Sequence, residues 1–175
     1  MPEIIVSIFG SGRVGEDDPA YALGEQVGRE LAQAGFAVAT GGYGGAMRAV
    51  SRGAAEAGGR VIGVTCSAFK SPANEYVTRE VRTASLQERL HNLIKAGRAY
   101  VVLPGGTGTL LELASVWELK NKGFLEAHRP IVLVGSFWKP VADLMAAEDP
   151  KCRKSIETAD NPEQVVEIVR IALNA

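Results

Sequence analysis

Short runs of apolar, mostly β-branched residues alternate along the chain with longer stretches whose apolar positions recur every three or four residues. The runs Ile4–Phe9, Ala37–Thr40, Val61–Thr65, Ala99–Leu103 and Ile131–Val134 are almost continuously apolar. That is the pattern of parallel strands covered on both faces. Between them Pro19–Ala34, Gly45–Ala57, Leu86–Ala96 and Leu110–Lys122 read as helices, and Phe137–Ala147 and Pro162–Leu173 follow the last strand. Strand–helix alternation predicts βαβ units in an open, doubly wound sheet. The expected architecture is α/β: a Rossmann-like three-layer fold with a mostly parallel central sheet flanked by helices.

Boundary chemistry agrees with these spans. Asp18-Pro19 supplies an N-cap followed by proline at the first helical position. Ala34-Gly35 and Ala57-Gly58-Gly59 end helices just before strands. Ser85-x-x-Glu88 and Thr109-x-x-Glu112 both have the capping-box form. Asn161-Pro162 opens the last helix, where Val165, Val166, Val169 and Leu173 form one stripe. Cys66–Ala84 is the long irregular stretch, of a length common in functional loops, with room for a short strand near Val81.

Composition narrows the function classes. The 175 residues fit one domain spanning 1–175, without repeat or linker. A hydrophobic content of 46% and a charged content of 22% are ordinary for a soluble globular chain. The net charge of −1 excludes a nucleic-acid binder relying on bulk positive potential. Cys66 and Cys152 belong to no paired motif and read as reduced thiols. No apolar run approaches the roughly 20 residues of a membrane span. The start Met1-Pro2-Glu3 lacks the basic region of a signal peptide. A cytoplasmic protein is expected, with neither nucleic acid nor membrane as partner.

Ligands of such sheets bind beyond the carboxyl ends of the strands, where strand order reverses. The loops Gly10–Asp17, Gly41–Gly45, Cys66–Ala84 and Pro104–Thr109 all follow strands, and three of them are glycine-rich. The most telling is Leu103-Pro104-Gly105-Gly106-Thr107-Gly108-Thr109-Leu110-Leu111-Glu112, a glycine turn between strand and helix. Such a turn lets backbone N–H groups approach a ligand, and the positive helix end favours an anion, typically phosphate. Gly105, Gly106, Thr107, Gly108 and Thr109 are therefore candidates for a phosphate cradle, with Glu112 a fixed carboxylate beside it. Glu112 also reads as the second member of a capping box with Thr109, and both readings can hold together.

Other motifs have two readings each. Gly10-Ser11-Gly12-Arg13-Val14-Gly15 has the dinucleotide pattern, but Glu16-Asp17-Asp18-Pro19 delays the helix and the second strand ends without an acid. A nucleotide-facing loop and a plain strand-exit turn remain for it, beside a weaker NAD-dependent reading. Gly41-Gly42-Tyr43-Gly44-Gly45-Ala46-Met47 serves either tight helix–sheet packing or close backbone approach of a ligand. Arg89 flanks the stripe Leu86, Leu90, Leu93 and Ile94, where an arginine is usually a surface residue with its stem packed. His91 and His128 lack metal-ligand spacing and read as surface residues. Neither a lysine–phosphate loop nor a serine nucleophile elbow occurs in the sequence.

Pro104-Gly105-Gly106-Thr107-Gly108-Thr109-Leu110-Leu111-Glu112 resembles the PGGxGTxxE signature of the LONELY GUY (LOG) family. Gln87-Glu88-Arg89 resembles the family's His-Glu-Arg segment, and the interval from Arg89 to Glu112 matches. Gly41–Met47 resembles its earlier glycine loop. The resemblance implies a Rossmann-like homodimer that binds AMP-like nucleotides and hydrolyses the bond between base and ribose 5-phosphate. It implies Arg89 and Glu112 as the catalytic pair, with Ser11, Gly42, Gly44, Gly45 and Met47 lining the nucleotide pocket, and neither metal nor redox cofactor. Departures are Leu90 for lysine, Leu111 for an acid, and Thr40 and Arg48 where glycines are common. These bring the chain near LOG-like relatives resembling molybdenum-cofactor carriers, which bind a phosphorylated pterin without hydrolysing it. The main expectation is a phosphoribohydrolase of purine nucleoside 5′-monophosphates, and the alternative a non-catalytic carrier of a phosphorylated small molecule. The lysine-decarboxylase label given to similar chains has no support, since no lysine sits in a pyridoxal-phosphate context. Trp117 is a candidate for a dimer interface or for the core.

Overall fold

The computed structural model describes residues 3–174; the Met1-Pro2 start lies outside the described residues. In chain order the elements are β1 (Ile5–Phe9), α1 (Pro19–Gln33), β2 (Ala37–Thr40), α2 (Ala46–Glu56), β3 (Val61–Cys66), β4 (Arg79–Thr83) and α3 (Leu86–Ala96). There follow β5 (Ala99–Val102), α4 (Thr107–Asn121), β6 (Ile131–Val134), α5 (Lys139–Glu148), a short 3-10 helix (Cys152–Ser155), β7 (Glu157–Ala159) and α6 (Pro162–Leu173). The strands form one sheet in the order β4-β3-β2-β1-β5-β6-β7, and every pairing is parallel.

Side-chain alternation along the strands builds two cores, one on each sheet face. Val6 and Ile8 of β1 and Val101 of β5 pack with Val27, Leu31, Val50, Ala54, Val165 and Val169 of α1, α2 and α6. Phe9, Tyr100 and Val102 face the other way, onto Leu93 of α3, Leu113, Val116 and Trp117 of α4 and Ala142 of α5. Ser7, the polar residue in β1, is fully buried and donates its hydroxyl to the Leu93 carbonyl at 2.7 Å. Trp117 belongs to this core, its indole N–H donating to the Cys152 carbonyl at 2.8 Å.

The expected fold is the one found, including the short strand near Val81: the stretch Cys66–Ala84 holds β4, an edge strand paired with β3. Two features differ. β7 was not expected: Glu157-Thr158-Ala159 has no apolar run and pairs along one edge of β6. The fourth major helix begins at Thr107 rather than Leu110, because Gly106 occupies the N-cap without a side-chain cap bond. The capping box between Thr109 and Glu112 is therefore not formed. The Ser85–Glu88 pair caps its helix more loosely: Glu88 N–H donates to Ser85 Oγ at 3.1 Å, and the Glu88 carboxylate accepts from the N–H of Ala84, one residue before the cap, at 2.7 Å.

Helices α1 and α2 cross in backbone contact. A Cβ at Gly53 would lie 1.9 Å from the Glu25 carbonyl oxygen, so an alanine there must force the helices apart. Overpacking of this kind costs about 1–3 kcal/mol. Gly53→Ala is expected to lower the chemical-denaturation midpoint accordingly, and an unchanged midpoint would show that the helices give way without loss.

Candidate functional site

The chain builds outward from β1 to β2, β3 and β4, then crosses back to lay β5 on the other side of β1. Strand order reverses there, and loops diverging from the carboxyl ends of β1 and β5 open a crevice. The two loops are tied together at its floor, where Ser11 N–H donates to the Pro104 carbonyl at 3.1 Å. A cavity of about 790 Å³ occupies this position, lined by the end of β1 and by residues from four loops and three helices.

One wall is the start of α4. Its first intrahelical bond runs from Leu110 N–H to the Gly106 carbonyl, so the preceding amides at Thr107, Gly108 and Thr109 have no partner within the helix. No side chain caps this end. A Cβ added at Gly106 or Gly108 would meet no atom within 4 Å, so both glycines border open space rather than packed protein. Open amides at a positive helix end are suited to an anion.

Glu112 and Arg89 stand deeper in the cavity. Arg89, expected at the surface from its helix pattern, is only 8% exposed. From α3, which starts at the Ser85 cap, Arg89 reaches the end of β3, where Nε donates to the Val64 carbonyl at 2.8 Å. Its guanidinium carbon lies 5.7 Å from the Tyr43 ring centre and 6.0 Å from that of Phe69. Gly41 makes room for it, since a Cβ there would sit 1.7 Å from Arg89 Nη2. Arg89 Nη1 lies 3.8 Å from Glu112 Oε1, an ion pair with side chains 10% and 14% exposed.

Burial pushes the Glu112 carboxyl up to about 7, against a weaker downward pull from Arg89. A near-neutral carboxyl in a water-poor cleft is a mark of functional sites. It also costs stability. Between about 4.5 and 7 the folded protein keeps a proton that the unfolded chain has released, so stability falls as pH rises through that window.

The other residues named from the sequence divide. Ser11, Met47, Gly106, Thr107, Gly108 and Thr109 line the cavity with Arg89 and Glu112. Gly44 lines a second cavity of about 790 Å³ that adjoins the first. Gly42, Gly45 and Gly105 border neither. Gly45, at φ +64°, brings α2 so close to the β1 loop that a Cβ would lie 2.3 Å from the Ser11 carbonyl oxygen. A Cβ at Gly105 would strike the Thr109 side chain at 2.1 Å. Several lining residues were not singled out in the sequence, among them Arg13, Tyr43 and Phe69. Tyr43 sits inside the glycine motif, and its hydroxyl accepts from Cys66 N–H at 2.8 Å and donates to the Cys66 carbonyl at 3.1 Å. Phe69 is one aromatic in a long loop, with no spacing to mark it.

Among the described residues no group of three His, Cys, Asp or Glu side chains is placed to hold a metal ion, and no helix is long and apolar enough to cross a membrane.

These features define a Rossmann-like α/β protein with a small-molecule crevice at its topological switch point. Residues 3–166 match the SLOG cluster4 family, and the chain belongs to that family. The cytokinin riboside 5′-monophosphate phosphoribohydrolase of Mycobacterium tuberculosis is 34% identical over 116 residues, covering 64% of this chain and 60% of that protein. The Mycobacterium marinum protein of the same name is 33% identical over 119 residues, 66% and 62% of the two chains. The chain thus spans about three fifths of the length of these curated relatives. The molybdenum cofactor binding protein of Rippkaea orientalis shares the fold, with a TM-score of 0.82, 23% identity and 99% of both chains covered. The molybdenum cofactor carrier protein of Chlamydomonas reinhardtii does so with a TM-score of 0.79, 23% identity and the same coverage.

Glu112→Gln keeps the shape and removes the charge. It is expected to stabilise the protein at pH 8 by roughly 3 kcal/mol and far less at pH 5. Denaturant unfolding at the two pH values checks this; an equal shift at both would refute the burial argument.

Proposed function

We propose that the protein is a phosphoribohydrolase that cleaves the N-glycosidic bond of a purine nucleoside 5′-monophosphate, giving free base and ribose 5-phosphate. One observation carries the reading: a buried carboxylate, Glu112, faces the same cavity as the open N-terminus of its own helix. The phosphate would rest on the amides of Thr107, Gly108 and Thr109, which places the sugar near Glu112. Two relatives more than 30% identical that bear the name of this activity support it.

Breaking an N-glycosidic bond leaves positive charge on the sugar carbon and ring oxygen. A carboxylate fixed in a low-dielectric cleft stabilises that charge strongly. Glu112 would serve as electrostatic stabiliser and water activator, or as transient nucleophile. Arg89, locked by the Val64 carbonyl and the space at Gly41, would orient the carboxylate and contact ribose or phosphate. No metal or redox cofactor has a part in this chemistry.

A second reading, a non-catalytic carrier of a phosphorylated small molecule such as a nucleotide or molybdenum cofactor, is favoured by Leu90 and Leu111. Leu111 is 44% exposed beside Glu112 where the resemblance leads one to expect an acid. Exposed Leu86, Leu110 and Leu111 also support a homodimer; light scattering should then give twice the chain mass, and the single mass would contradict it.

Chromatography of mixtures with AMP and other nucleoside monophosphates is expected to show free base and ribose 5-phosphate, abolished by Glu112→Gln with binding retained. Intact nucleotide throughout, with a bound phosphorylated ligand, would establish the carrier instead. Because the ionised carboxylate does the work, kcat/KM should rise with pH and level off above about 7; a profile falling through that range would assign Glu112 the role of a proton donor.

A further inference from the structure

The crevice continues past the catalytic pair. The two cavities share a wall of Gly12, Tyr43, Met47 and Phe69. Phe69 is 46% exposed. Its ring meets that of Tyr43 edge-on, with centres 5.6 Å apart and planes at 81°. The segment that carries it is anchored at both ends. Phe69 N–H donates to the Cys66 carbonyl at 3.0 Å, and Asn74 N–H donates to the Gly42 carbonyl at 2.8 Å. Arg48 of α2 grips Glu75 at 2.6 Å and also pairs with Glu16 of the opposite loop. An exposed aromatic ring on a pinned loop is preorganised to receive a ligand at little entropic cost.

The order of groups along the crevice shows which part of a ligand arrives there. Glu112 Oε1 lies 3.8 Å from Arg89 Nη1, and the Arg89 guanidinium carbon lies 6.0 Å from the Phe69 ring centre. Arg89 is therefore within reach of both the carboxylate and the aromatic ring. With phosphate at the α4 terminus and sugar at Glu112, the rest of a nucleotide runs past Arg89 toward Phe69. The second cavity beyond is ill suited to another phosphate. Its Arg48 is neutralised by Glu75, and the Asn74 amide donates to the Tyr43 carbonyl at 2.9 Å, while Lys70 is exposed at the rim.

We infer that Phe69 is the stacking platform for the base and sets a preference for a flat, uncharged heteroaromatic group at that position. Stacking needs only a π-face, so the platform holds purine rings without reading their edges. The inference rests on the nucleotide reading of the site and adds to it the residue that retains the base.

Calorimetric titration of AMP and of ribose 5-phosphate into Glu112→Gln protein tests it, since the nucleotide stays intact and the sugar phosphate carries a hydroxyl in place of the base. Adding Phe69→Ala should weaken AMP binding about tenfold or more and change ribose 5-phosphate binding less than about twofold. Phe69→Trp in its place should restore AMP binding. Equal losses for both ligands would mean that the loop, not the ring, is at work, and unchanged AMP binding would remove Phe69 from the site; either overturns the inference alone. Failure of Glu112→Gln protein with Phe69 intact to bind either ligand would overturn the nucleotide reading and the inference with it.

Discussion

Parallel pairing of β1 with β2 on one side and with β5 on the other is the constraint on which the site depends. Because helices cover both faces of this parallel sheet, its central strand is buried on both sides, which is why Val6, Ile8 and Phe9 are all but inaccessible and why Ser7 needs a carbonyl partner. Because the chain leaves β1 in one direction and returns in the other, loops at its carboxyl end diverge, and the sheet itself makes the crevice. Everything that faces the ligand space hangs from that point: the β1 loop, the glycine loop entering α2, the anchored segment with Phe69, and the α4 terminus.

Within the crevice, electrostatics and sterics act together. Placing Glu112 out of water raises its carboxyl to about 7, and the arginine opposite offsets only part of that cost. The pair persists because each partner is held by the fold rather than by the other. Arg89 is fixed by a backbone carbonyl and by the absence of a side chain at Gly41, while Glu112 is carried on a helix packed through Leu113, Val116 and Trp117. A buried, stability-costing ionisable pair of this kind marks a functional cleft rather than a packing device.

Much of this was legible in the chain, and the physical reason differs by element. Buried parallel strands announce themselves as unbroken apolar runs, so β1, β2, β3, β5 and β6 could be read directly. Edge strand β7 could not, because Glu157 and Thr158 face solvent and leave no apolar signature. Glycine spacing located the site but not the task of each glycine: Gly106 and Gly108 border open space, whereas Gly45 and Gly105 hold packed backbone or side chain. Arg89 looked like a surface residue because helix periodicity records which residues are apolar, not that a carbonyl and two aromatic rings await a guanidinium. Phe69 was hidden for the same reason, since its place depends on loop anchors distant in sequence.

A crystal structure of Glu112→Gln protein soaked with AMP tests the central assignment most directly. The account predicts phosphate oxygens within hydrogen-bond distance of the Thr107, Gly108 and Thr109 amides, with the glycosidic carbon beside residue 112. Phosphate bound elsewhere, or a sugar turned away from residue 112, would contradict it.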